Sequence, residues 1–518
     1  MKTSIIIPVA IANLFLSVPV FAAVTFTEGQ GQAFGGEKCI RCHGDTPTIQ
    51  AQAPSESFDV VIVGGGMAGL STLHYLQDVN AVVLETQDRV GGQMLYNTWQ
   101  GVRYAEGAAY MVEPYGILGE FYRTEKIPLI KIPEPDNNAW IRGKFYPNCW
   151  TAGGRGKMSW SRRDMRNYVQ FCEELEEVNR LSLSCQPFEF FSEEQQELDR
   201  LPAKLWMQQK GLNDEMIELF DRYTASCFGV GANLISASAF ANYLSGEIGG
   251  NLTVPGGLGA VTEIIYQNHK DRVRLNCHVL RIEQDLRQAR VIYLDPQGRQ
   301  KTVRAKAVVA AVPCNLLPEL IPDLPREKKE VIAKTKYAAY MVAAVLCREV
   351  LWDNKGYDTW ILGTFFNDII DADWISREGK PHANKKQPHV LSLYIPLGIQ
   401  GLEQIVDAKP EEYKQRILVD LEKVIPGCSP KIEEIRLHRF GHSMHVAGPK
   451  FMTQSMPVLR KPFFRIHFAG AEVEGLPCNE SAILSGYKAA SGVRTWLWPE
   501  LPDEKRTALE SREHHQNQ

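Results

Sequence analysis

Residues 60–69 read Val60-Val61-Ile62-Val63-Gly64-Gly65-Gly66-Met67-Ala68-Gly69 and predict a buried strand that turns tightly into a helix. Four consecutive apolar residues are typical of a parallel strand that is covered on both faces. Helical spacing of apolar residues continues from Leu70 to Leu76, and a second short strand is predicted over residues 81–85. This strand–turn–helix–strand order predicts the start of a doubly wound α/β sheet.

The glycines of this turn have the spacing of a dinucleotide-binding loop. Gly64 permits the tight turn, Gly66 lets the backbone approach a pyrophosphate, and Gly69 lets the helix pack closely on the strand. Met67 and Ala68 begin the helix, where free amides and the helix dipole favour a bound phosphate. We therefore expect these five residues to contact the phosphates of a dinucleotide.

The residues after the second strand indicate which dinucleotide is bound. Glu85 is followed by three residues and Arg89, then by one residue and Gly91-Gly92. This acid-x-x-x-Arg-x-Gly-Gly run resembles the second fingerprint of the flavin-containing amine oxidase and carotenoid desaturase superfamily. The resemblance implies FAD as the cofactor: Glu85 would bind the ribose hydroxyls, Arg89 would face the pyrophosphate, and Gly91 and Gly92 would let the backbone pass beside it.

Later segments resemble the same family in the family's order, over residues 58–498 in all. They are Tyr104–Ala109, the strand around Val279, Phe468–Glu472 and Ala482–Gly486. The FAD contacts that the resemblance implies there are Gly107 and Ala108 under the flavin ring, Val279 at the adenine, Gly470 and Glu472 at the ribityl and phosphate region, and Ala482 and Ile483 at flavin N1 and C2=O.

The predicted fold is α/β, with a two-part Rossmann-like FAD-binding domain of the glutathione reductase-like, amine oxidase type. It is interleaved with a mixed α+β substrate domain. The predicted boundaries are 58–112, 246–333 and 451–498 for the FAD-binding domain, 113–245 and 334–450 for the substrate domain, and 499–518 for a polar tail.

The sequence differs from monoamine and polyamine oxidases at the positions of their active-site residues. Those enzymes have a Lys after a Val-Pro strand, but the segment after Pro313 contains no Lys at the matching place. The closing motif also lacks the aromatic residue that such an enzyme places beside the flavin. No catalytic residue is therefore assigned, and the assignment of an amine as substrate rests on the family resemblance.

Several residues are hypotheses for the substrate side of the site. Glu106, Glu319 and Glu480 could each bind a cationic substrate, with a role in the flavin domain or at the surface as the alternative. Cys478 could be a reactive thiol beside the flavin, and the alternative is a buried cysteine that only packs against its neighbours. His442 lies near the position at which some family members attach FAD covalently, so covalent attachment stays open.

The N-terminus predicts export. Residues 1–23 combine a basic start, an apolar centre and small residues at the end, which is the pattern of a secretory signal peptide. An uncleaved membrane anchor is the alternative. The formal net charge of −4 and the lack of a Lys/Arg-rich run give no indication of a nucleic-acid partner.

Residues 24–57 contain Cys39-Ile40-Arg41-Cys42-His43, the attachment pattern of a c-type haem. Cys39 and Cys42 would form the thioethers, and His43 would bind the haem iron. A disulfide or half of a zinc site is the alternative. Such haem attachment takes place outside the cytoplasm, so this motif and the export signal agree.

These features together predict a periplasmic FAD-dependent amine dehydrogenase or oxidase that passes electrons from an amine through FAD to haem c. The expected partners are a small-molecule substrate and a soluble cytochrome or other periplasmic acceptor, and a homo-oligomer stays open. The alternatives are a desaturase or dehydrogenase of an apolar, terpenoid-like substrate, and an electron-transfer subunit of a larger complex.

Overall fold

The computed structural model describes residues 23–26, 49–50, 52–180, 192–353, 355–406 and 409–498. The predicted signal peptide up to residue 22, the haem motif with Cys39, Cys42 and His43, and the predicted tail lie outside the described residues. Within the described part of the chain, no helix is long and apolar enough to cross a membrane.

The strands are numbered in chain order. They are β1 (Ala23–Phe26), β2 (Glu56–Val63), β3 (Ala81–Leu84), β4 (Tyr96–Trp99), β5 (Val102–Ala105), β6 (Met111–Val112), β7 (Ile130–Lys131), β8 (Asn137–Ile141), β9 (Lys144–Tyr146), β10 (Asn251–Thr253), β11 (Val273–Arg274), β12 (His278–Gln284), β13 (Ala289–Leu294), β14 (Gln300–Ala310), β15 (Tyr337–Cys347), β16 (Asp358–Ile361), β17 (Asp368–Asp371), β18 (His389–Gly398), β19 (Ile432–His445) and β20 (Ile466–Phe468).

The α-helices are numbered in the same way. They are α1 (Met67–Tyr75), α2 (Gly116–Thr124), α3 (Arg162–Arg180), α4 (Glu193–Leu198), α5 (Ala203–Gln209), α6 (Asp214–Phe228), α7 (Ala237–Ile248), α8 (Leu258–His269), α9 (Leu317–Leu320), α10 (Arg326–Lys334), α11 (Gly401–Val406), α12 (Pro410–Val424), α13 (Met456–Arg460) and α14 (Asn479–Leu497).

A seven-stranded sheet contains the predicted dinucleotide unit. Its order is β11-β3-β2-β14-β13-β12, with β20 beside β14. The strands β11, β3, β2, β14 and β20 run parallel, whereas β13 and β12 form an antiparallel meander. The four residues Val60–Val63 are nearly or fully buried, because helices or loops cover both faces of this sheet. The strands of this sheet come from three separate parts of the chain, residues 56–84, 273–310 and 466–468.

An eight-stranded sheet of mixed orientation forms the second layer, in the order β1-β19-β15-β18-β17-β16-β8-β9. Helices α3 to α7 pack beside it around an aromatic core that includes Trp150, Phe220 and Trp360. Strand β1 extends the edge of this sheet and runs parallel to β19, with Ala23 opposite Glu434. Residues 105–107 contact this sheet, since Ser392 Oγ donates to the Ala105 carbonyl and Tyr394 Oη donates to the Gly107 carbonyl.

Helix α14 closes the molecule by packing against α1. A Cβ atom at Gly486 would lie 2.0 Å from Ser71 Oγ and 2.8 Å from the Ala68 carbonyl oxygen, so the helices approach as closely as a glycine allows. This contact brings the C-terminal part of the chain to the start of the dinucleotide unit.

Candidate functional site

The turn between β2 and α1 has room on one side only. Gly64 has a φ of +107°, and a Cβ atom there would lie 2.3 Å from the Ala311 carbonyl oxygen. At Gly69 a Cβ atom would lie 1.9 Å from the Gly64 oxygen. At Gly66, by contrast, the nearest atom is Gly92 Cα at 4.0 Å. Open space therefore adjoins Gly66, on the side where a pyrophosphate is expected.

Glu85 joins the ends of β2 and β3. Its Oε2 accepts a hydrogen bond from the Gly65 amide at 2.6 Å, and its Oε1 accepts one from the Gln87 amide at 2.8 Å. The Cys277 amide donates to the Glu85 carbonyl at 2.8 Å, which places Val279 two residues away along the chain. Burial raises the pKa of the Glu85 carboxyl group. The structure thus brings the predicted ribose and adenine residues together.

The second predicted fingerprint lies directly beside the glycine turn. The Gly91 amide donates to the Gly65 carbonyl at 2.9 Å, and Gly66 and Gly91 form a parallel bridge. Arg89 Nη1 donates to the Val90 carbonyl at 3.2 Å, whereas Arg89 Nε and Nη2 are buried without a hydrogen-bond partner. Unpaired buried guanidinium donors are costly. They fit an anion such as the pyrophosphate of FAD, which would complete their hydrogen bonding.

The segment expected beneath the flavin is held from three sides. Tyr394 Oη donates to the Gly107 carbonyl at 2.7 Å, and the Leu258 amide donates to the Ala108 carbonyl at 3.0 Å. A Cβ atom at Gly107 would lie 2.0 Å from the Gln93 carbonyl oxygen, so this position accepts only glycine without rearrangement. Strand β18 and the start of helix α8 therefore position Gly107 and Ala108.

The C-terminal predicted residues reach the same region. The Gly470 amide donates to Ser485 Oγ at 2.9 Å. Glu472 is buried, and its Oε1 accepts from Tyr337 Oη at 2.7 Å and from the Cys314 amide at 3.2 Å. Tyr337 was not identified from the sequence, because it lies far from Glu472 along the chain.

Ala482 and Ile483 lie in the first two turns of α14. Met67, Ala68 and Ile483 belong to one buried cluster, with Ala482 packed against it. The Ala482 amide already donates to the Cys478 carbonyl at 3.2 Å inside the helix. The N-cap Cys478 makes no side-chain capping bond. The first-turn amides at 479–481 are therefore the ones that can face a ligand.

The carboxylates singled out in the sequence occupy different surroundings. Glu106 is fully buried, with Oε1 2.7 Å from His438 Nε2 and Oε2 without a partner. Glu480 is also buried, and its Oε1 accepts from the Val112 amide at 3.1 Å while Oε2 has no partner. Glu319 is exposed. Glu106 and Glu480 thus belong to the interior of the site, whereas Glu319 does not.

His442 lies on β19 at the edge of an open cavity. The cavity has a volume of about 530 Å³, and its lining includes Asn315, Pro318, Tyr337 and His442. The His442 carbonyl oxygen accepts a hydrogen bond from Gln93 Nε2 at 3.2 Å. Tyr337 connects this cavity to Glu472. Covalent attachment of FAD to His442 stays a prediction.

A group of buried acids, which no sequence motif indicated, lies next to the predicted flavin segment. We call Glu247, Asp358 and Asp368 the acid cluster. Tyr110, three residues after Gly107, donates to Asp358 Oδ2 at 3.3 Å. Asp358 Oδ1 and Glu247 Oε2 are buried without a hydrogen-bond partner.

The third acid, Asp368, has two neighbours on other elements. Its Oδ1 accepts from Ser226 Oγ at 3.0 Å, and Ser226 Oγ lies 2.9 Å from Tyr340 Oη. Strands β16 and β17 pair antiparallel, with Asp358 opposite Ile370, so Asp358 and Asp368 lie diagonally on the same face of the sheet. The contact from Tyr110 to Asp358 is long-range along the chain. Only the position of Tyr110 shortly after the glycine segment could have indicated the cluster.

Comparison with known proteins identifies the family to which this cofactor site belongs. A family model described as flavin containing amine oxidoreductase matches residues 67–494. The flavin-containing amine oxidase B of Homo sapiens is 24% identical over 467 residues, which cover 84% of this chain and 86% of the human protein. A flavin-containing amine oxidase of Oncorhynchus mykiss is 23% identical over 479 residues, with 84% and 86% coverage.

Solved structures show the same fold. A triple mutant of putrescine oxidase superposes with a TM-score of 0.68 and 17% identity, covering 85% of this chain and 99% of that one. Cyclohexylamine oxidase from Brevibacterium oxydans gives a TM-score of 0.66 and 18% identity, with the same coverage. The predicted α/β fold class is confirmed, and the chain is an FAD-dependent oxidoreductase.

Proposed function

The chain belongs to the flavin-containing amine oxidoreductase family, and from this membership we propose that it is a periplasmic dehydrogenase of small amines with more than one amino group. The electrons of the amine pass to FAD, then to a c-type haem bound at Cys39, Cys42 and His43, and finally to an external acceptor. The observation that supports a cationic substrate is the acid cluster beside the Gly107–Tyr110 segment.

The acid cluster has the burial and the unpaired oxygen atoms that favour binding of a cation. Burial raises the pKa of Glu247, and the nearby Asp358 raises it further. Burial likewise raises the pKa of Asp358, with Asp368 adding to the effect. An ammonium group placed among these carboxyls would favour their ionised form and satisfy Asp358 Oδ1 and Glu247 Oε2. An apolar substrate would leave both oxygen atoms unpaired, at the cost of about 1–3 kcal/mol each.

The short span of chain between Gly107 and Tyr110 suits a substrate with two amino groups. Tyr110 follows Gly107 by three residues, a span of at most about 10 Å. One uncharged amino group can therefore lie over the flavin while a second, charged group lies against Asp358. Tyr394 and Leu258 hold the Gly107–Ala108 segment, so the distance between the two subsites is set by the protein.

The residues of the FAD site hold the cofactor, and those around the acid cluster exclude water. Gly66, Glu85 and Arg89 would bind the pyrophosphate and ribose, as their hydrogen bonding and open space allow. Bound FAD supplies the two-electron oxidation of the C–N bond. Trp150, Tyr223 and Trp360 pack together in the core that adjoins α7 and β16, which keeps the region near Glu247 and Asp358 dry.

The location and the haem rest on the sequence, since the N-terminal motif lies outside the described residues. The export pattern of residues 1–23 and the Cys39–His43 motif support one another, because covalent haem attachment takes place outside the cytoplasm. Rapid oxidase activity is not expected of an enzyme that transfers electrons to a haem.

The experiment is an anaerobic absorbance titration of the protein purified from the periplasm. Cadaverine and pentylamine form a matched pair, because they have the same carbon chain and differ by one amino group. We expect cadaverine to bleach the flavin and then raise reduced-haem bands, and pentylamine to do so only at much higher concentration. Equal action of the two amines would contradict the role of the acid cluster.

Two further outcomes separate the parts of the proposal. Intact-mass measurement should find haem on the wild type and none on the Cys39→Ser, Cys42→Ser variant. Absence of haem from the wild type would contradict electron transfer through haem and would indicate an amine oxidase instead. Flavin bleaching by an apolar terpenoid but by no amine would instead favour the desaturase alternative.

A further inference from the structure

A second cluster of polar side chains lies where β17 ends and β18 begins, beside the start of β16, since the Asp371 amide donates to the Tyr357 carbonyl at 2.9 Å. Asp371 ends β17, Asp373 follows it, and His389 begins β18. His382 lies in the connection between these strands. The side chains of His382 and His389 are fully buried. One ligand atom each from Asp373, His382 and His389 lies within 4.8 Å of the other two.

The spacing of these atoms fits a tetrahedral ion. His382 Nε2 is 3.1 Å from Asp373 Oδ2, and His389 Nε2 is 4.0 Å from Asp373 Oδ1. Ligand bonds of 2.0–2.1 Å place neighbouring ligand atoms about 3.3 Å apart. The two imidazole rings are perpendicular, with centroids 5.0 Å apart, and two rings bound through Nε2 to one ion would be about 5 Å apart.

A comparison within the chain shows what a purely hydrogen-bonded cluster looks like. Among the described residues, His74, Glu125 and His269 also meet. There, Glu125 Oε1 lies 2.5 Å from His74 Nδ1 and 2.7 Å from His269 Nε2. Those separations are direct hydrogen bonds and leave no space for an ion between the atoms.

Neighbouring groups orient the ligand atoms in the way that metal sites require. His382 Nδ1 lies 2.8 Å from Asp353 Oδ1, so Nδ1–H donates to the carboxylate and the Nε2 lone pair faces Asp373. Arg377 donates to Asp373 Oδ1 at 2.9 Å and to Asp371 Oδ2 at 2.7 Å. Each of these two carboxylates therefore keeps its other oxygen free of the guanidinium.

His389 needs one adjustment. Its Nε2 lies 3.2 Å from Asp371 Oδ1, and its Nδ1 lies 3.4 Å from the Leu351 amide. The second contact is long for a hydrogen bond. Moving the ring proton from Nε2 to Nδ1 would turn the Nε2 lone pair towards the carboxylates, but it would break the hydrogen bond to Asp371 Oδ1 and set Nδ1–H against the Leu351 amide. The bonds from Nε2 and Asp371 Oδ1 to a bound ion have to offset both losses.

The charge of the cluster favours a cation. Three carboxylates, those of Asp353, Asp371 and Asp373, face two cationic side chains, Arg377 and Lys385. With both imidazoles neutral, one negative charge remains in the buried cluster. Neutral imidazole is the form that binds metals.

We propose that Asp373, His382 and His389 bind one divalent transition-metal ion, with Asp371 Oδ1 within reach as a fourth ligand. Two imidazole nitrogens with carboxylate oxygen in a closed, buried site match Zn²⁺ best. The ion would fix the 372–388 connection to the sheet. This site is separate from the predicted flavin site, and it stands or falls independently of the proposed substrate.

The experiment measures metal content of the full-length, FAD-containing protein, purified without chelators from medium that contains zinc. Elemental analysis should give close to one Zn²⁺ per chain. The His382→Asn and His389→Gln variants should each lose at least about nine-tenths of it. The matched control is His269→Gln in the hydrogen-bonded cluster, which should keep the full amount.

A second measurement covers variants that fail to fold. Wild type stripped with a chelator should bind added Zn²⁺ in equilibrium dialysis and regain its melting temperature. The Asp353→Ala variant keeps all three ligands but loses the acceptor for His382, so its affinity for Zn²⁺ should fall about 10- to 100-fold. Wild type that neither contains nor takes up Zn²⁺, or loss of the metal in His269→Gln alone, would overturn the proposal.

Discussion

The Glu85 carboxylate accepts a 2.6 Å hydrogen bond from the Gly65 amide, so the acid that follows β3 is bonded to the glycine turn that follows β2. The two strands are parallel neighbours, with Val63 opposite Leu84. One side chain therefore shapes the turn that would receive a pyrophosphate and also presents an acid to the ribose. Several predictions about the cofactor site depend on this double role.

The Glu85→Gln variant should lose FAD and some stability. Its amide NH₂ group would face a backbone N–H of Gly65 or Gln87, which replaces an attraction with two opposed donors. We expect a loss of about 1–3 kcal/mol in the free energy of unfolding and flavin content well below the wild type. Urea unfolding and the ratio of flavin to protein absorbance measure both effects. The exposed Glu327→Gln variant is the control, and full flavin in Glu85→Gln would contradict the assignment.

Two alanine substitutions in the glycine turn should each prevent FAD binding, one by disturbing the fold and the other by filling the cofactor space. Gly69→Ala brings a methyl group to 1.9 Å from the Gly64 oxygen, so we expect poor folding. Gly66→Ala meets nothing closer than 4.0 Å, and its φ of −73° suits alanine. This variant should fold with near wild-type circular dichroism but without FAD, because the methyl group occupies the space for the pyrophosphate. If Gly66→Ala retained FAD, that space would not be the cofactor site.

The Asp358→Asn variant should distinguish substrates by their number of charges. Asparagine keeps an oxygen that can accept from Tyr110 but removes the negative charge. We expect the KM for cadaverine to rise at least about 10-fold, equivalent to about 1.4 kcal/mol, while the KM for pentylamine changes little. Steady-state kinetics with an artificial acceptor measures both. The exposed Asp323→Asn variant is the control, and an equal rise for both amines would indicate a general structural defect.

His467 should make the protein less stable in mild acid. It is buried in β20, and burial lowers its pKa to about 4, whereas the unfolded chain has a value near 6.5. Because the unfolded state binds the proton more readily, this stability is fully present above about pH 6.5 and is lost as the pH falls towards 4. The contribution is up to about 3 kcal/mol.

The measurement is urea unfolding of the wild type and His467→Asn between pH 7.5 and 4.5. Asparagine leaves a cavity and so lowers stability at every pH, but it does not titrate. The difference between the two proteins should therefore shrink as the pH falls. Parallel losses of stability in the two proteins would show that another group is responsible.

Much of the cofactor site could be predicted because its residues lie close together along the chain. Gly64, Gly66, Gly69, Glu85 and Arg89 belong to one contiguous strand–turn–helix–strand unit, whose geometry depends on local spacing. The structure brings these five residues together around one turn. The resemblance to the flavin-containing family supplied the more distant residues, such as Glu472.

The substrate side of the site could not be predicted in the same way. Tyr110 meets Asp358 only across a long stretch of chain, whereas Asp358 and Asp368 share one face of the antiparallel β16–β17 pair. Nothing in the local sequence around Asp358 distinguishes it from a surface aspartate. The same holds for His382 and Asp373, which the return of the chain from β17 to β18 brings together.

The amino-acid sequence alone thus establishes the fold class, the flavin family and the position of the dinucleotide loop, because glycine spacing and buried strands act over a few residues. The contacts of Asp358 with Tyr110 and of Glu472 with Tyr337 join residues far apart in the chain. The proposed metal site depends on how the connection between β17 and β18 folds back on itself. Their burial, unpaired oxygens and charge exist only once both sheets have packed, since desolvation acts on a side chain only after its neighbours surround it.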